Sequence, residues 1–283
     1  MVSGRMIADH VALAARYVRS ADLRRDLDDP EALEGYVVTA TVREAVQRVA
    51  RGLRPGSRQR AFRITGPYGV GKSSVALLLA RLFRGNADAL ALVEACLPAG
   101  AALPRYEPVV LTGRRASFVD DLLDALEAAA QQFGAAPIVE IVGAARSGRD
   151  KAAQALAALE TLAAYLQAER DCGLLLFVDE MGRYLEFAAS HPRLEDPSVF
   201  QALAERASGG GENPLAVIAL LHHRFSDYVA GLGEWIEAEW SKTAERYEEV
   251  SFRESVELSM ISDSLVSGLA SSISRITTRP WSL

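Results

Sequence analysis

The sequence predicts an α/β fold of three layers, in which helices cover both faces of a parallel sheet of five strands. Short apolar runs alternate with longer amphipathic stretches along most of the chain, which is typical of strands joined by helical crossovers. One apolar run leads directly into a glycine-rich turn that ends in Gly-Lys-Ser, and another ends in two adjacent carboxylates. Both features are expected beside one edge of the sheet.

The five candidate strands are short apolar runs, so we expect them to be buried on both faces of the sheet. They cover residues 61–65, 108–112, 174–178, 215–221 and 249–252. Apolar residues at helical spacing fill the stretches between them. We predict helices around residues 73–83, 117–133, 151–169, 196–207 and 227–244.

Further helices are predicted outside this alternating core. Apolar residues at helical spacing over residues 7–27 indicate an amphipathic helix. Thr41 and Glu44 form a capping-box pattern, which predicts a helix that runs to about Leu53. Another amphipathic pattern follows Phe252.

The overall charge does not indicate a nucleic-acid partner. The formal net charge is −6 and the pI is about 5.4. A surface of this sign repels polyphosphates, so contact with nucleic acid would need a local basic patch. The arginines that come nearest to such a patch, Arg54, Arg58, Arg60 and Arg63, are interpreted as a solvated face.

The sequence indicates a cytoplasmic protein. Cys96 and Cys172 lie far apart without the spacing of a zinc site or a disulfide framework, as expected in a reducing compartment. The first ten residues lack an apolar signal core, and the longest apolar run, residues 215–221, is too short to span a bilayer. Neither secretion nor membrane insertion is expected.

The glycine-rich turn matches the phosphate-binding pattern GxxxxGK[ST]. It consists of Gly66, Pro67, Tyr68, Gly69, Val70, Gly71, Lys72 and Ser73, with Ser74 next in the chain. Glycines allow the backbone to curl so that successive N–H groups face phosphate oxygens, and the helix that follows adds the partial positive charge of its N-terminus. Lys72 is expected to reach the β- and γ-phosphates, and the Ser73 hydroxyl to ligate Mg2+.

The third strand ends in Asp179 and Glu180, about a hundred residues beyond this loop. In P-loop NTPases, that position holds Mg2+ through the aspartate, because a hard cation prefers oxygen ligands. Glu180 is then suited to activate the attacking water as a general base. Without the loop, the same pair of residues would be interpreted as an ordinary strand end.

Two further residues are candidates on weaker grounds. His222 follows the fourth strand and is the candidate for a sensor of the γ-phosphate, with His223 as the second choice; a loop histidine without a role is the alternative. Arg246 precedes the fifth strand, where ring-forming ATPases place an arginine that projects into a neighbouring subunit's site. The alternative for Arg246 is a solvent-facing residue among glutamates.

With these motifs, the chain resembles the AAA+ P-loop ATPases of the additional-strand, catalytic-glutamate class. It is more specifically similar to the N-terminal ATPase region of large bacterial BREX-type phage-defence ATPases. The similar stretches are residues 35–39, 63–73, 177–186 and 240–247. Such proteins usually carry a glycine before the arginine, where this chain has Glu245.

The resemblance implies a domain order, ligands and partners. The implied domains are an N-terminal helical extension, an ATPase core and the start of a truncated helical lid, over residues 1–34, 35–252 and 253–283. ATP with Mg2+ is the implied ligand, and Tyr36 is a plausible neighbour of the adenine. A homo-oligomer or a neighbouring ATPase subunit is expected through Arg246, and other defence-system proteins are possible partners. The family's proteins are far longer, so the chain resembles an amino-terminal fragment.

Three functions follow from these observations. The leading hypothesis is an ATPase whose hydrolysis drives conformational change in a multi-protein, phage-defence assembly. The second is an ATP-binding switch or scaffold with little turnover. The third is a small-molecule kinase with a P-loop, which is disfavoured because Glu180 is better placed to activate water.

Overall fold

The computed structural model describes residues 21–98, 100, 102–209, 214–228 and 234–252. Within them the strands are β1 (Ala61–Thr65), β2 (Tyr106–Thr112), β3 (Gly173–Asp179), β4 (Leu215–Leu221) and β5 (Glu248–Ser251). The helices of the first half are α1 (Leu23–Asp26), α2 (Ala40–Gly52), α3 (Lys72–Arg84), α4 (Ala87–Val93), α5 (Phe118–Phe133) and α6 (Ala136–Ser147). Those of the second half are α7 (Lys151–Arg170), α8 (Met181–Ser190), α9 (Ser198–Ser208) and α10 (Glu234–Glu245). Short 3-10 turns cover Glu94–Cys96 and Phe225–Tyr228.

The five strands form one parallel sheet in the order β2-β3-β4-β1-β5. The predicted fold class is therefore confirmed, and the predicted strand bounds agree with the structure to within two residues. The register aligns Thr65 with Leu221 and Thr112 with Asp179, so the carboxyl ends of these four strands lie along one edge.

The central strands are buried on both faces, which explains why their apolar runs are continuous rather than alternating. In β3, Leu174, Leu176 and Val178 pack into the core under α5 to α9, whereas Leu175 and Phe177 pack into the core under α2 to α4. The same alternation holds in β4. Two cores of this kind fix the sheet between two layers of helices.

Helix α2 begins earlier than the capping-box pattern predicted. Thr39, not Thr41, is the N-cap, and its side chain accepts the N–H of Val42 at 3.3 Å. Thr39 has extended backbone angles, which an N-cap requires, while Thr41 already lies inside the helix. The prediction chose the wrong threonine because it required a glutamate three residues later.

The prediction missed α4, α6 and α8, and it joined two separate elements at the end of the core. The structure has a 3-10 turn at Phe225–Tyr228 and the helix α10 at Glu234–Glu245, where one helix over residues 227–244 was predicted. Helix α6 begins at Ala136 with a proline in its first turn.

Of the four arginines that were predicted to form a solvated face, only Arg54 and Arg58 are exposed. Arg60 is buried. Arg63 forms an ion pair with Glu249, with 2.8 Å between Nη2 and Oε2, and also donates to the Ala244 carbonyl. Arg63 thus joins β1 to β5 and to α10 and is only partly exposed.

The predicted N-terminal extension lies mostly outside the described residues, and the predicted lid, residues 253–283, lies entirely outside them. In the part that the structure describes, no helix is both long enough and apolar enough to cross a membrane. Cys96 and Cys172 are both buried and free of a disulfide.

Candidate active site

The loop between β1 and α3 starts at a glycine that has no room for a side chain. A Cβ on Gly66 would lie 2.8 Å from the Phe252 carbonyl oxygen and 2.9 Å from the Phe252 Cβ. Phe252 approaches so closely because its N–H donates to the Thr65 carbonyl at 2.7 Å. The end of β5 therefore fixes the direction in which the loop leaves the sheet.

Two further glycines shape the curl of the loop. Gly69 has φ of 84° and Gly71 has φ of 89°, a left-handed backbone that residues with a Cβ rarely adopt. Gly71 is the N-cap of α3 and provides no side-chain cap, so the first N–H groups of the helix are left for another acceptor. A curl of amides in front of a helix N-terminus is a favourable site for a phosphate.

Lys72 is buried at the start of α3, with 6% of its surface exposed. Its Nζ donates to the carbonyl oxygens of Gly66 and Pro67, each at 2.6 Å. Burial lowers the pKa of Lys72 to about 8, although the nearby carboxylates of Asp179 and Glu180 oppose the shift. A phosphate that binds beside this buried ammonium would stabilise the charged form of Lys72.

Ser73 and Asp179 meet across the edge of the sheet. The Ser73 hydroxyl lies 3.4 Å from Oδ2 of Asp179, although the two residues are 106 positions apart. The other carboxylate oxygen, Oδ1, accepts the N–H of Glu180 at 2.9 Å. Burial is the main cause of a raised pKa for Asp179, and a cation beside the carboxylate would oppose that shift.

Glu180 has a left-handed backbone, with φ of 51° and ψ of 39°. A non-glycine residue in this region is strained and is found preferentially at functional sites. Its side chain forms an ion pair with Arg183, with 2.8 Å between Oε2 and Nε, and remains partly exposed. The left-handed turn lets the chain pass from β3 into α8 without an intervening loop.

Gly113, which the sequence analysis did not identify, supports this turn from the neighbouring strand. Its N–H donates to the Asp179 carbonyl at 2.7 Å. A Cβ on Gly113 would lie 2.1 Å from the Glu180 carbonyl oxygen. Only glycine allows β2 to end this close to the two acidic residues.

His222 lies at the end of β4 with its ring stacked on Tyr68 of the loop, at a centroid distance of 3.5 Å and an interplanar angle of 20°. Both ring nitrogens are buried and have no hydrogen-bond partner among the described residues. Burial, followed by the charge of Lys72, lowers the pKa of His222 to about 4. His222 is therefore neutral at physiological pH.

Tyr228 anchors the backbone beside His222. Its hydroxyl accepts the N–H groups of both His222 and His223, each at 3.2 Å. The ring of Tyr228 packs on Gly182 in the first turn of α8, where a Cβ would lie 2.3 Å from the hydroxyl oxygen. His223 is exposed, and its ring faces Tyr228 edge-on.

Arg246 lies at the opposite edge of the sheet from the loop. The register aligns Phe62 with Glu248, so the chain enters β5 beside the amino end of β1. Arg246 forms an ion pair with Glu205 of α9 at 3.3 Å, and both side chains are about half exposed. It is thus not brought together with Lys72, Ser73, Asp179, Glu180 and His222.

Tyr36 lies just before α2 and is partly buried against the core under α2 to α4. Val38 of the same segment and Val70 of the loop also pack against this core. Apolar and aromatic side chains are the usual lining for a planar base.

The residues present fit a nucleotide with a divalent cation. The hydroxyl and carboxylate of Ser73 and Asp179 are hard oxygen donors that lie close together. Gly69 and Gly71 have the left-handed backbone that a phosphate-binding curl requires, with Lys72 buried at its end. Among the described residues, no group of three or more His, Cys, Asp or Glu forms a metal site by itself.

A sequence model of the AAA ATPase domain matches residues 38–218, which is more than half of the chain. The chain belongs to this AAA ATPase family. The match covers the segment after Tyr36, the phosphate-binding loop, the Asp179–Glu180 pair and most of β4. No curated protein matches the sequence.

A solved structure shares the fold of this AAA ATPase domain. The ORC2 protein of Aeropyrum pernix, in ADPNP and ADP complexes, aligns with a TM-score of 0.50 at 19% identity, over 83% of this chain and 54% of that one. The Aeropyrum pernix ORC1 protein in complex with DNA aligns with a TM-score of 0.44 at 17% identity, over 81% of this chain and 49% of that one. The chain spans about half the length of these two proteins.

Proposed function

We propose that this AAA ATPase domain binds ATP with Mg2+ and hydrolyses it. The observation that carries the proposal is the 3.4 Å distance between the Ser73 hydroxyl and Oδ2 of Asp179 at the end of a phosphate-binding loop. Ser73 and Asp179 would hold the cation, the aspartate through water. Bound Mg2+ would neutralise charge on the phosphate oxygens.

The loop residues would hold the phosphates. The proposed phosphate-binding loop comprises Gly66, Pro67, Tyr68, Gly69, Val70, Gly71, Lys72, Ser73 and Ser74. Its backbone N–H groups are the proposed donors, except at Pro67, which has none, and at Gly66, whose N–H donates to the Leu221 carbonyl at 3.2 Å. Lys72 would exchange the carbonyl oxygens that it now contacts for phosphate oxygens, a gain because the acceptor would then carry the opposite charge. Tyr36 is proposed to lie beside the adenine, since Tyr36 and Val70 of the loop pack against the same core.

Glu180 is proposed as the general base that takes a proton from the attacking water. It follows Asp179 directly, and its left-handed backbone holds it at the carboxyl edge of the sheet. His222 is proposed as the polar sensor of the γ-phosphate, because its neutral ring can donate one hydrogen bond. The anchored backbone of His222 favours it over the exposed His223.

Arg246 is proposed to act in a neighbouring subunit. It lies at the sheet edge opposite to its own loop, so it can serve only the site of another chain. In an oligomer, it would leave Glu205 and stabilise charge that develops on the transferred phosphoryl group.

The proposed setting is a cytoplasmic multi-protein assembly, in which hydrolysis drives conformational change. Its assignment to phage defence depends on the resemblance to BREX-type ATPases over residues 177–186 and 240–247. Residues 1–34, 35–252 and 253–283 remain the proposed extension, ATPase core and start of the lid.

A switch with little turnover is the second candidate, and one contact favours it. Oε2 of Glu180 is engaged by Arg183, so this oxygen is not available to the attacking water while the ion pair lasts. Both side chains are partly exposed, and such pairs contribute only about 0–1 kcal/mol, so substrate binding can break this one. In the switch hypothesis, the Glu180–Arg183 ion pair persists and slows ATP hydrolysis. In the ATPase hypothesis, the ion pair breaks when the substrate binds.

Calorimetric ATP binding and phosphate release, each with and without Mg2+, test the proposal. We expect binding and turnover in the wild type, and the loss of both in Lys72→Ala. Lys151→Ala is the matched control, because Lys151 lies on α7 and pairs with Asp120 away from the loop. Equal ATP affinity in the wild type and in Lys72→Ala would refute the site.

A further inference from the structure

Tyr68 is the loop residue whose side chain lies closest to the proposed sensor. Its ring stacks on His222 at 3.5 Å and also lies 5.8 Å from the Nζ of Lys72. Lys72 and His222 are the two side chains proposed to contact the γ-phosphate. The Tyr68 ring lies next to both of them. A phosphate bound by both groups would have to come within about 3 Å of each.

The environment of His222 leaves both ring nitrogens shielded from solvent and without a hydrogen-bond partner among the described residues. A buried polar group without a partner is destabilising, so an arrangement that supplies a partner is favoured. The low pKa of His222, which burial causes, keeps the ring neutral and prevents relief by protonation near neutral pH.

Of the two stacked residues, Tyr68 is the one that can move. The backbone of His222 is fixed by its hydrogen bond to Tyr228, which in turn packs on Gly182 of α8. Tyr68 is 67% exposed, and a Cβ placed on the neighbouring Gly69 would meet nothing within 4 Å. The middle of the loop is thus open to solvent and loses few contacts when it shifts.

We propose that Tyr68 is a gate for the sensor, and that a bound triphosphate moves the Tyr68 ring off His222. This inference rests on the proposed function of the loop and adds a positioning role for one side chain. The stacked arrangement covers His222, and the displaced arrangement leaves a ring nitrogen able to donate to a phosphate oxygen. A ligand that is bound only in the displaced arrangement shifts the population towards it.

Histidine-selective NMR on the full chain tests the gate without measuring turnover. The sequence has four histidines, so four imidazole signals are expected, and His222→Asn identifies the signal of His222. Stacking on a tyrosine ring moves the carbon-bound imidazole protons upfield. We expect this upfield shift in the wild type, its retention in Tyr68→Phe and its loss in Tyr68→Ala.

Addition of a non-hydrolysable ATP analogue with Mg2+ should move the wild-type His222 signal downfield, towards its position in Tyr68→Ala. Tyr68→Ala should also bind the analogue roughly two- to tenfold more tightly than Tyr68→Phe, since no aromatic stack has to be broken. An upfield shift that persists at saturation, or equal affinities of the two variants, would overturn the gate. Absence of calorimetric binding to the wild type would overturn the proposed function, and the gate with it.

Discussion

The hydroxyl of Ser73 lies 3.4 Å from Oδ2 of Asp179, so the first turn of α3 and the end of β3 present two oxygen ligands at one point. The parallel register of the sheet produces this proximity, because β1 and β3 both end at the same edge on either side of β4. A pair of hard oxygens beside a phosphate cradle is what a magnesium nucleotide requires.

Substitutions of this pair are predicted to weaken binding in a manner that depends on Mg2+. Ser73→Ala and Asp179→Asn should each lower the affinity for ATP in the presence of Mg2+ by roughly tenfold or more, in keeping with the loss of a charge-assisted contact. Ser73→Thr keeps the hydroxyl and is the control. Calorimetric titrations with and without Mg2+ measure the difference; a similar loss of affinity without Mg2+ would argue against a shared cation.

Gly113 is predicted to be required for the geometry of the acidic pair. In Gly113→Ala, the new Cβ would overlap the Glu180 carbonyl oxygen, so the backbone of residues 179–180 must shift. We expect ATP turnover to fall at least tenfold, with a loss of stability of about 1–3 kcal/mol. Thermal unfolding and phosphate release measure both effects.

Gly143→Ala is the matched control for that substitution. Gly143 lies inside α6, and a Cβ there meets nothing within 4 Å. Because alanine favours a helix by up to about 1 kcal/mol over glycine, this variant should be as stable as the wild type or more so. A Gly113→Ala variant that behaves like Gly143→Ala would contradict the steric argument.

The pKa of Lys72 predicts a pH dependence of ATP binding. The pKa of about 8 in the unliganded protein means that the ammonium loses its proton as the pH rises through 8, whereas bound phosphates favour the charged form. Binding above pH 8 must therefore take up a proton, and the affinity should fall as the pH rises. Proton uptake appears as a binding enthalpy at pH 8.5 that depends on the ionisation enthalpy of the buffer.

Lys72→Arg is the control for this dependence, because a guanidinium remains charged throughout this range. If it binds at all, its apparent enthalpy should not change with the buffer at pH 8.5. A wild-type affinity that stays constant from pH 7 to 9.5 would contradict the proposed contact between Lys72 and the phosphates.

The carboxyl edge of the sheet could be predicted from the sequence because each of its parts has a local signal. The loop has its own pattern of glycine, lysine and serine, and the acidic pair follows an apolar run. Helix α8 had no such signal: a turn from strand to helix usually needs glycine, and here Glu180 itself adopts the left-handed backbone. Tertiary contacts around Asp179 hold that conformation, and a single sequence does not show them.

The contacts around His222 and Gly113 also lay beyond sequence analysis. Tyr228 acts on His222 from six residues away and Gly113 acts on Glu180 from the adjacent strand, so both depend on the sheet order. A glycine directly after a predicted strand was the only signal for Gly113, and a turn explains it equally well.

If Arg246 acts on the site of a neighbouring subunit, two inactive variants should restore each other's activity when mixed. Arg246→Ala retains Glu180, and Glu180→Gln retains Arg246, so a mixed oligomer contains sites with both residues intact. We expect the mixture to hydrolyse ATP faster than either variant alone. Glu205→Gln, which removes only the partner of Arg246 in the same chain, should hydrolyse ATP at nearly the wild-type rate. A mixture no faster than its components would argue against action between subunits.

The central claim is tested most directly by the nucleotide that Glu180→Gln retains after incubation with ATP and Mg2+. If Glu180 activates the attacking water, this variant should bind ATP as tightly as the wild type and retain it as ATP, with turnover lowered at least a hundredfold. Glu186→Gln, a partly exposed residue on α8 that pairs with Arg115, should convert ATP to ADP like the wild type. ADP recovered from Glu180→Gln at the wild-type rate would contradict the account.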